Sequence, residues 1–378
     1  MKLIPLLFIT IIGFSSSLLH AKSITGAVYT ATNHAEENSI IAYQQFDDGT
    51  LNKIGEYKTG GKGTGFAELS GMAYDPGAGH PGSDGFDPLE STYALWRTPD
   101  NKNVLVVNAG NGTVSSLRVN KDFSLTLNNV VEAGDINPLA IATFGKIVYV
   151  ASLGKSNTHP GNLKGYIISD IGILSPIFYS EISLKGRPAS VEFTPDGKFL
   201  ITVEVITGAI HSYKVLDDGT LLRVSTIQSP LTRGDRFLPI PIGTKIVAKE
   251  GKQFLLVTEA RLVNTKGRFK TVSKENKEKY PFQAKYEGQT GSVTSYEINQ
   301  YGKLSIVSPD VMAGKEMWGG QQTTCWITAS RNGQFAWATN PLTSSISTFE
   351  LDKQGKLKLS EEIAYQDPDY NEYYTDMD

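Results

Sequence analysis

Five residues of this 378-residue chain have types and spacing that could do chemistry together. Glu204 and Glu259 each close an apolar, strand-like run, Lys198–Glu204 (KFLITVE) and Gln253–Glu259 (QFLLVTE). Arg261 follows Glu259 by two residues, Arg187 stands in Gly186-Arg187-Pro188-Ala189, and His159 lies in the stretch Leu153–Leu163. A guanidinium can hold a carboxylate or phosphate through two parallel hydrogen bonds. A glutamate or histidine can take a proton from water or move one beside a carbonyl. Glu204, Glu259 and His159 are therefore candidate catalytic groups, and Arg187 and Arg261 candidate substrate-binding groups. The plainer reading makes Glu204–Arg187 and Glu259–Arg261 structural ion pairs.

The elements that carry these residues repeat. One pattern is a tight turn followed by an apolar strand with a polar end: Gly26–Asn33, Lys102–Asn108, Lys146–Ser152, Lys198–Glu204, Gln253–Glu259 and Gln334–Asn340. A second strand with alternating apolar residues comes after it, as in Ser39–Phe46, Thr113–Val119, Ala209–Val215, Ser292–Ile298 and Ser345–Leu351. Then comes a hairpin turn, Asp47-Asp48-Gly49-Thr50 or Asp217-Asp218-Gly219-Thr220, in which the Asp-Gly pair supplies positive φ. The turn ahead of the first strand reads Thr194-Pro195-Asp196-Gly197, with copies at Thr98-Pro99-Asp100-Asn101 and Ser330-Arg331-Asn332-Gly333. Another apolar strand precedes it. Each unit is thus four antiparallel strands in meander order, without helical periodicity. Repeated units of this kind predict an all-β fold, a β-propeller of four-stranded blades. A sandwich or solenoid is the alternative.

The segments RPASVEFTPDGKFLITVE, GSVTSYEINQYGKL and TTCWITASRNGQFAWATNPLTSSISTFELDKQGKL resemble the repeats of the lactonase-type seven-bladed propellers, which include 6-phosphogluconolactonases and carboxymuconate cyclases. The resemblance covers residues 26 to 378. It implies the fold, and, as a family, His, Arg and Glu groups near the channel for lactone or muconate chemistry. Six copies are visible, not seven. Either the chain is truncated relative to the family, which is the favoured expectation, or six units close the ring. Gly186-Arg187-Pro188-Ala189 lacks the His expected of a phosphogluconolactonase.

In a blade whose strands run A to D from the axis outward, the A–B and C–D turns share one face. The B–C and D–A connections share the other. The long stretches Gly60–Glu90, Leu153–Leu163 and Arg261–Glu287 all fall on that second face, where ordered loops on a rigid scaffold tend to carry function. The residues closing the B strands, Asn33, Asn108, Ser152, Glu204, Glu259 and Asn340, are expected to point at the channel mouth there. The Gly-rich loop Asp75–Glu90, with Asp75, His80, Asp84, Asp87 and Glu90, reads as an ordinary loop, with calcium binding as the alternative.

Composition bounds the rest. The chain is 40% hydrophobic and 20% charged, with a net charge of -3, and no basic stripe suggests nucleic acid. Lys2, the apolar run Leu3–Leu19 and Ala21 read as a signal peptide over residues 1–21, ahead of a single propeller domain over 22–378. A periplasmic or secreted protein is expected, with no membrane span once the signal is removed. The single cysteine, Cys325, reads as a buried structural thiol. No nucleophile elbow, P-loop or zinc signature occurs, and no cofactor and no metal are expected. The expectation is an exported monomer with a lactonase-like activity on a small anionic lactone or sugar acid. The alternative is a non-catalytic propeller that binds a protein or glycan through its looped face.

Overall fold

The computed structural model describes residues 22–65, 92–156, 159–205, 207–232, 237–263, 289–314, 321 and 323–366. The signal-peptide reading, the loop Asp75–Glu90 and most of Gly60–Glu90 and Arg261–Glu287 lie outside them. The described chain forms six antiparallel sheets, and these are the blades of a propeller.

Blade 1 contains β1 (Ile24–Ala31), β2 (Ser39–Phe46) and β3 (Leu51–Lys58). Blade 2 contains β4 (Leu95–Arg97), β5 (Asn103–Asn108), β6 (Thr113–Val119) and β7 (Leu125–Glu132). Blade 3 contains β8 (Pro138–Phe144), β9 (Ile147–Ser156) and β10 (His159–Ile168), with an outer strand split into β11 (Leu174–Pro176) and β12 (Ile182–Ser183). Blade 4 is β13 (Pro188–Phe193), β14 (Phe199–Glu204), β15 (Ala209–Val215) and β16 (Leu221–Gln228). Blade 5 is β17 (Phe237–Lys249), β18 (Lys252–Val263), β19 (Gln289–Ile298) and β20 (Leu304–Met312). Blade 6 is β21 (Ile327–Ala329), β22 (Phe335–Asn340), β23 (Ser345–Leu351) and β24 (Leu357–Gln366).

Two details differ from four equal strands per unit. Blade 1 has three described strands. The stretch Leu153–Leu163 is largely ladder: Ser152 faces Asn162, Gly154 faces Pro160 and Ser156 faces His159, so β9 and β10 simply continue past the end of the blade. β18 and β19 of blade 5 likewise run on past Glu259, whereas β5, β14 and β22 stop at Asn108, Glu204 and Asn340.

The turns form as their residues require. In the Thr-Pro-Asp-Gly turn the Thr194 hydroxyl bonds Asp196 Oδ1 at 2.8 Å while Gly197 takes φ +69°. In the Asp-Asp-Gly-Thr turn the Thr220 amide and hydroxyl both reach Asp218 Oδ1, at 2.9 and 2.6 Å. These turns are also how the blades dock. The C–D turn glycines of blades 3 to 6 lie on the start of the preceding blade's second strand, whereas Gly49 of blade 1 has open space around it. A Cβ on Gly172 would meet Asn103, one on Gly219 would approach Ile147, one on Gly302 would meet Phe199, and one on Gly355 would meet Phe254. All four have φ between +77° and +85°, a region that other residues enter at a cost. Hydrogen bonds fasten the same joints: Ser116 to Gly172 O at 2.7 Å, Tyr149 to Gly219 O at 2.8 Å and Ser295 to Gly355 O at 2.6 Å.

Apolar layers fill the space between adjacent blades. Ile201, Val203 and Ile210 of blade 4 pack with Leu255, Val257 and Tyr296 of blade 5, and Cys325 is buried in the same cluster. Near the axis the segment ahead of β4 spans several inner strands. Tyr93 O accepts from Ile141 N, Thr92 N donates to Ala189 O, and the Tyr93 hydroxyl donates to Thr244 O at 2.8 Å. Tyr93 is buried and stands edge-on to Trp96, with ring centroids 4.9 Å apart.

Candidate functional site

Five of the six residues that close the second strands turn away from solvent, while Asn33 is half-buried and bonds Thr64. They do not line an open mouth: Asn108, Ser152, Glu204, Glu259 and Asn340 are all buried. A buried polar group needs partners, and the third strand supplies acceptors for two of these residues. Asn108 Nδ2 donates to Ser115 Oγ at 2.7 Å, and Asn340 Nδ2 to Ser347 Oγ at 2.8 Å. In blades 4 and 5 the same contact carries charge.

Glu204 ends β14. Its Oε1 accepts from Lys185 N at 3.2 Å and faces His211 Nε2 on β15 at 3.0 Å, and its Oε2 accepts from the Thr207 hydroxyl at 2.5 Å. Burial alone would raise this carboxyl. The hydrogen bonds from His211 and Thr207, the attraction of the imidazole and the Gly186 N–H outweigh it, so the pKa lies below its ordinary value. The partners of Glu204 are therefore an imidazole, a hydroxyl and backbone amides, rather than the Arg187 guanidinium expected from the sequence. On its far side the His211 ring places Nδ1 2.9 Å from Thr226 Oγ1, directly across the strand pair on β16. An ionised carboxylate only accepts, so Nε2 carries a proton, and Nδ1 accepts from the Thr226 hydroxyl wherever it is unprotonated.

Glu259, on β18, is joined to Arg261 as the sequence suggests. Its Oε2 takes the Arg261 guanidinium in a close contact, together with the hydroxyls of Ser292 and Thr294, each at 2.9 Å. Arg261 Nε also reaches Ser292 Oγ at 2.7 Å and Asp310 Oδ1 at 2.8 Å, and its Nη1 donates to Pro230 O at 3.0 Å. Both members of the pair are fully buried. Glu259 Oε1 is buried with no hydrogen-bond partner among the described residues. Burial first, and then the charge of Glu259, push the Tyr296 hydroxyl well above its usual pKa near 10.

Arg187 is buried ahead of β13, with Nη2 3.5 Å from Gly154 O of blade 3, and its backbone O accepts from Val205 N beside Glu204. His159 opens β10 opposite Ser156, and its side chain lies outside the description. The structure thus joins Glu259 with Arg261 and brings the Arg187 backbone beside Glu204 across the β13–β14 strand pair, without an Arg187–Glu204 side-chain pair. His211, Thr226 and Asp310 were missed in the sequence. The signal for His211 was there, because Glu204 to His211 repeats the seven-residue spacing of Asn108 to Ser115 and Asn340 to Ser347. On the opposite, turn face, a cleft is lined by Lys249, Glu350, Asp352, Lys353 and Lys356, away from all of these groups.

The sequence matches the family described as Lactonase, 7-bladed beta-propeller, over residues 86–367, and the chain belongs to that family. No curated protein matches it in sequence. Among solved structures it is similar to a protein from Lactobacillus plantarum, with a TM-score of 0.63 and 16% identity over 91% of this chain and 84% of that one. It is similar to a protein from Bacteroides uniformis proposed to be a 6-phosphogluconolactonase, with a TM-score of 0.58 and 15% identity over 90% and 82% of the two chains. It is also similar to the periplasmic gluconolactonase PpgL of Pseudomonas aeruginosa, with a TM-score of 0.59 and 14% identity over 89% and 83%. At these identities the likeness is one of fold.

Proposed function

We propose that the protein is an exported lactone hydrolase acting on a small anionic lactone or sugar-acid lactone. The observation that carries this reading is Glu259 Oε1, a buried carboxylate oxygen without a partner among the described residues. Such an oxygen calls for a donor, and a water or a substrate hydroxyl supplies one. Arg261, Ser292 and Thr294 hold the other oxygen of the same carboxylate and so fix its direction. Glu259 is the general base towards water in this reading, and Arg187 is the cation for the substrate's carboxylate or phosphate. Arg261 orients the base rather than binding substrate. Glu204, with both oxygens occupied, positions the neighbouring Lys185-Gly186-Arg187 backbone. Membership of the lactonase family supports the reaction class. The names of the Bacteroides and Pseudomonas neighbours support sugar-acid lactones, and the Leu3–Leu19 run and the periplasmic neighbour support export.

The test is acid release, above the spontaneous rate, from a panel of glucono-1,5-lactone, its 6-phosphate and muconolactone. At least one should be turned over. Glu259→Gln should lower kcat by about 10²–10⁴-fold, the range for loss of a general base, with circular dichroism unchanged. If the panel stays closed, or the variant matches the wild type, the reading fails in favour of a non-catalytic propeller that binds a protein or glycan.

A further inference from the structure

We propose that Thr226 on the outer strand of blade 4 is an activated nucleophile, with His211 as its base and Glu204 as the group that orients the imidazole, and that it takes carboxylic esters or reactive phosphonates at the outer surface of the blade. The three side chains stand in line across β16, β15 and β14, with separations of 2.9 Å from Thr226 Oγ1 to His211 Nδ1 and 3.0 Å from His211 Nε2 to Glu204 Oε1. Thr226 is exposed, whereas His211 and Glu204 are buried, so the reactive hydroxyl is reachable and the groups that activate it are shielded. The order of roles follows from the tautomer. Glu204, anchored by Lys185 N and Thr207, fixes Nε2–H and leaves the Nδ1 lone pair facing the Thr226 hydroxyl. The equivalent places in blades 2 and 6 hold Asn108 with Ser115 and Asn340 with Ser347, which fasten the strands without a base. An imidazole is not needed for fastening.

In the reaction the Thr226 proton passes to His211 Nδ1 as Oγ1 bonds to the ester carbonyl carbon. The bond to the leaving alcohol then breaks, and Nδ1 returns the proton to that oxygen. Water completes the cycle: it gives a proton to Nδ1, its oxygen bonds to the acyl carbon, and Thr226 Oγ1 leaves and regains the proton. β16 is the outermost strand of its sheet, so alternate backbone N–H groups along it have no ladder partner and can face the oxyanion.

The experiment treats the full chain with a fluorophosphonate probe and reads the adduct by peptide mass spectrometry. An adduct on Thr226 is expected, retained in Thr226→Ser, absent in Thr226→Val and formed at least a hundredfold more slowly in His211→Gln. Thr226→Val changes an exposed position and leaves lactone turnover by the blade 5 carboxylate intact, so the two proposals fail separately. No adduct at Thr226 in the wild type, or an adduct that forms equally fast in a folded His211→Gln, overturns the assignment.

Discussion

The Asn108 side-chain amide donates to the Ser115 hydroxyl at 2.7 Å, seven residues along the chain, and this one contact sets the pattern for the ends of the second strands. Asn108 Oδ1 meanwhile accepts from Thr59 and Asn38, at 2.7 and 3.1 Å. Every polar atom of the amide is engaged, and the residue is fully buried. Asn108→Asp would lose the two bonds donated by Nδ2 and bury a charge with no cation among the residues bonded to Asn108. We expect a loss of about 2 kcal/mol or more, read as a fall in the urea midpoint without a change in its slope.

Glu204 gives a pH dependence of opposite character. Its folded pKa lies below the ordinary glutamate value of 4.5. The stability it contributes is therefore fully present above that value and is lost as pH falls through the folded pKa. Calorimetry of the wild type should show the melting temperature dropping as pH is lowered below about 4.5. In Glu204→Gln the melting temperature should be lower at neutral pH and should fall less steeply over the acidic range. Parallel curves for the two proteins would refute the role assigned to the carboxylate.

Arg261 is fully buried between Glu259 and Asp310. Removing one member of a buried pair leaves the other uncompensated, which costs about 3–5 kcal/mol. Arg261→Met should be destabilised to that extent in chemical denaturation. Adding Glu259→Gln to it should restore part of the loss, because the stranded carboxylate disappears. Simple additivity of the two changes would mean that the residues do not act as a pair.

The blade joints can be tested with two glycines of similar backbone angle. Gly251 has φ +79° and open space around the position of a Cβ, whereas Gly355 has φ +80° and a Cβ there would lie 2.3 Å from Phe254 Cδ1 and Cε1. Gly251→Ala should cost only the backbone strain, about 1 kcal/mol. Gly355→Ala should cost that plus displacement of the Phe254 ring, about 1–3 kcal/mol more. The difference in melting temperature between the two variants measures the joint between blades 5 and 6.

The turn and strand pattern was legible because its physics is local. Asp-Gly and Thr-Pro-Asp-Gly need particular φ values, and Gly219 and Gly197 take them. The ends of the strands were less legible. Glu204 and Glu259 sit at corresponding places in sequence, yet one meets a histidine from the next strand and the other an arginine two residues on, and only burial decides that both turn inward. His211 stands in Ala209–Val215, where the alternation reads as an ordinary strand and a single polar inward position is easily taken for part of the pattern. Asp310 escaped notice because its partner Arg261 is distant in sequence. The Arg187–Glu204 ion pair of the plainer reading does not form for a related reason: Glu204 meets Arg187 only through the backbone across the strand pair, while its carboxylate is taken by His211, Thr207 and Lys185 N.

Tyr93 has a consequence for how the molecule is made. Its hydroxyl bonds a carbonyl 151 residues downstream, while its own carbonyl and the preceding amide bind blades 3 and 4. A contact of such sequence separation cannot form until three further sheets have been synthesised and brought together, and closures of that span slow folding. The axis is therefore assembled late and from its far ends, so the early blades spend part of the protein's biogenesis without their keystone.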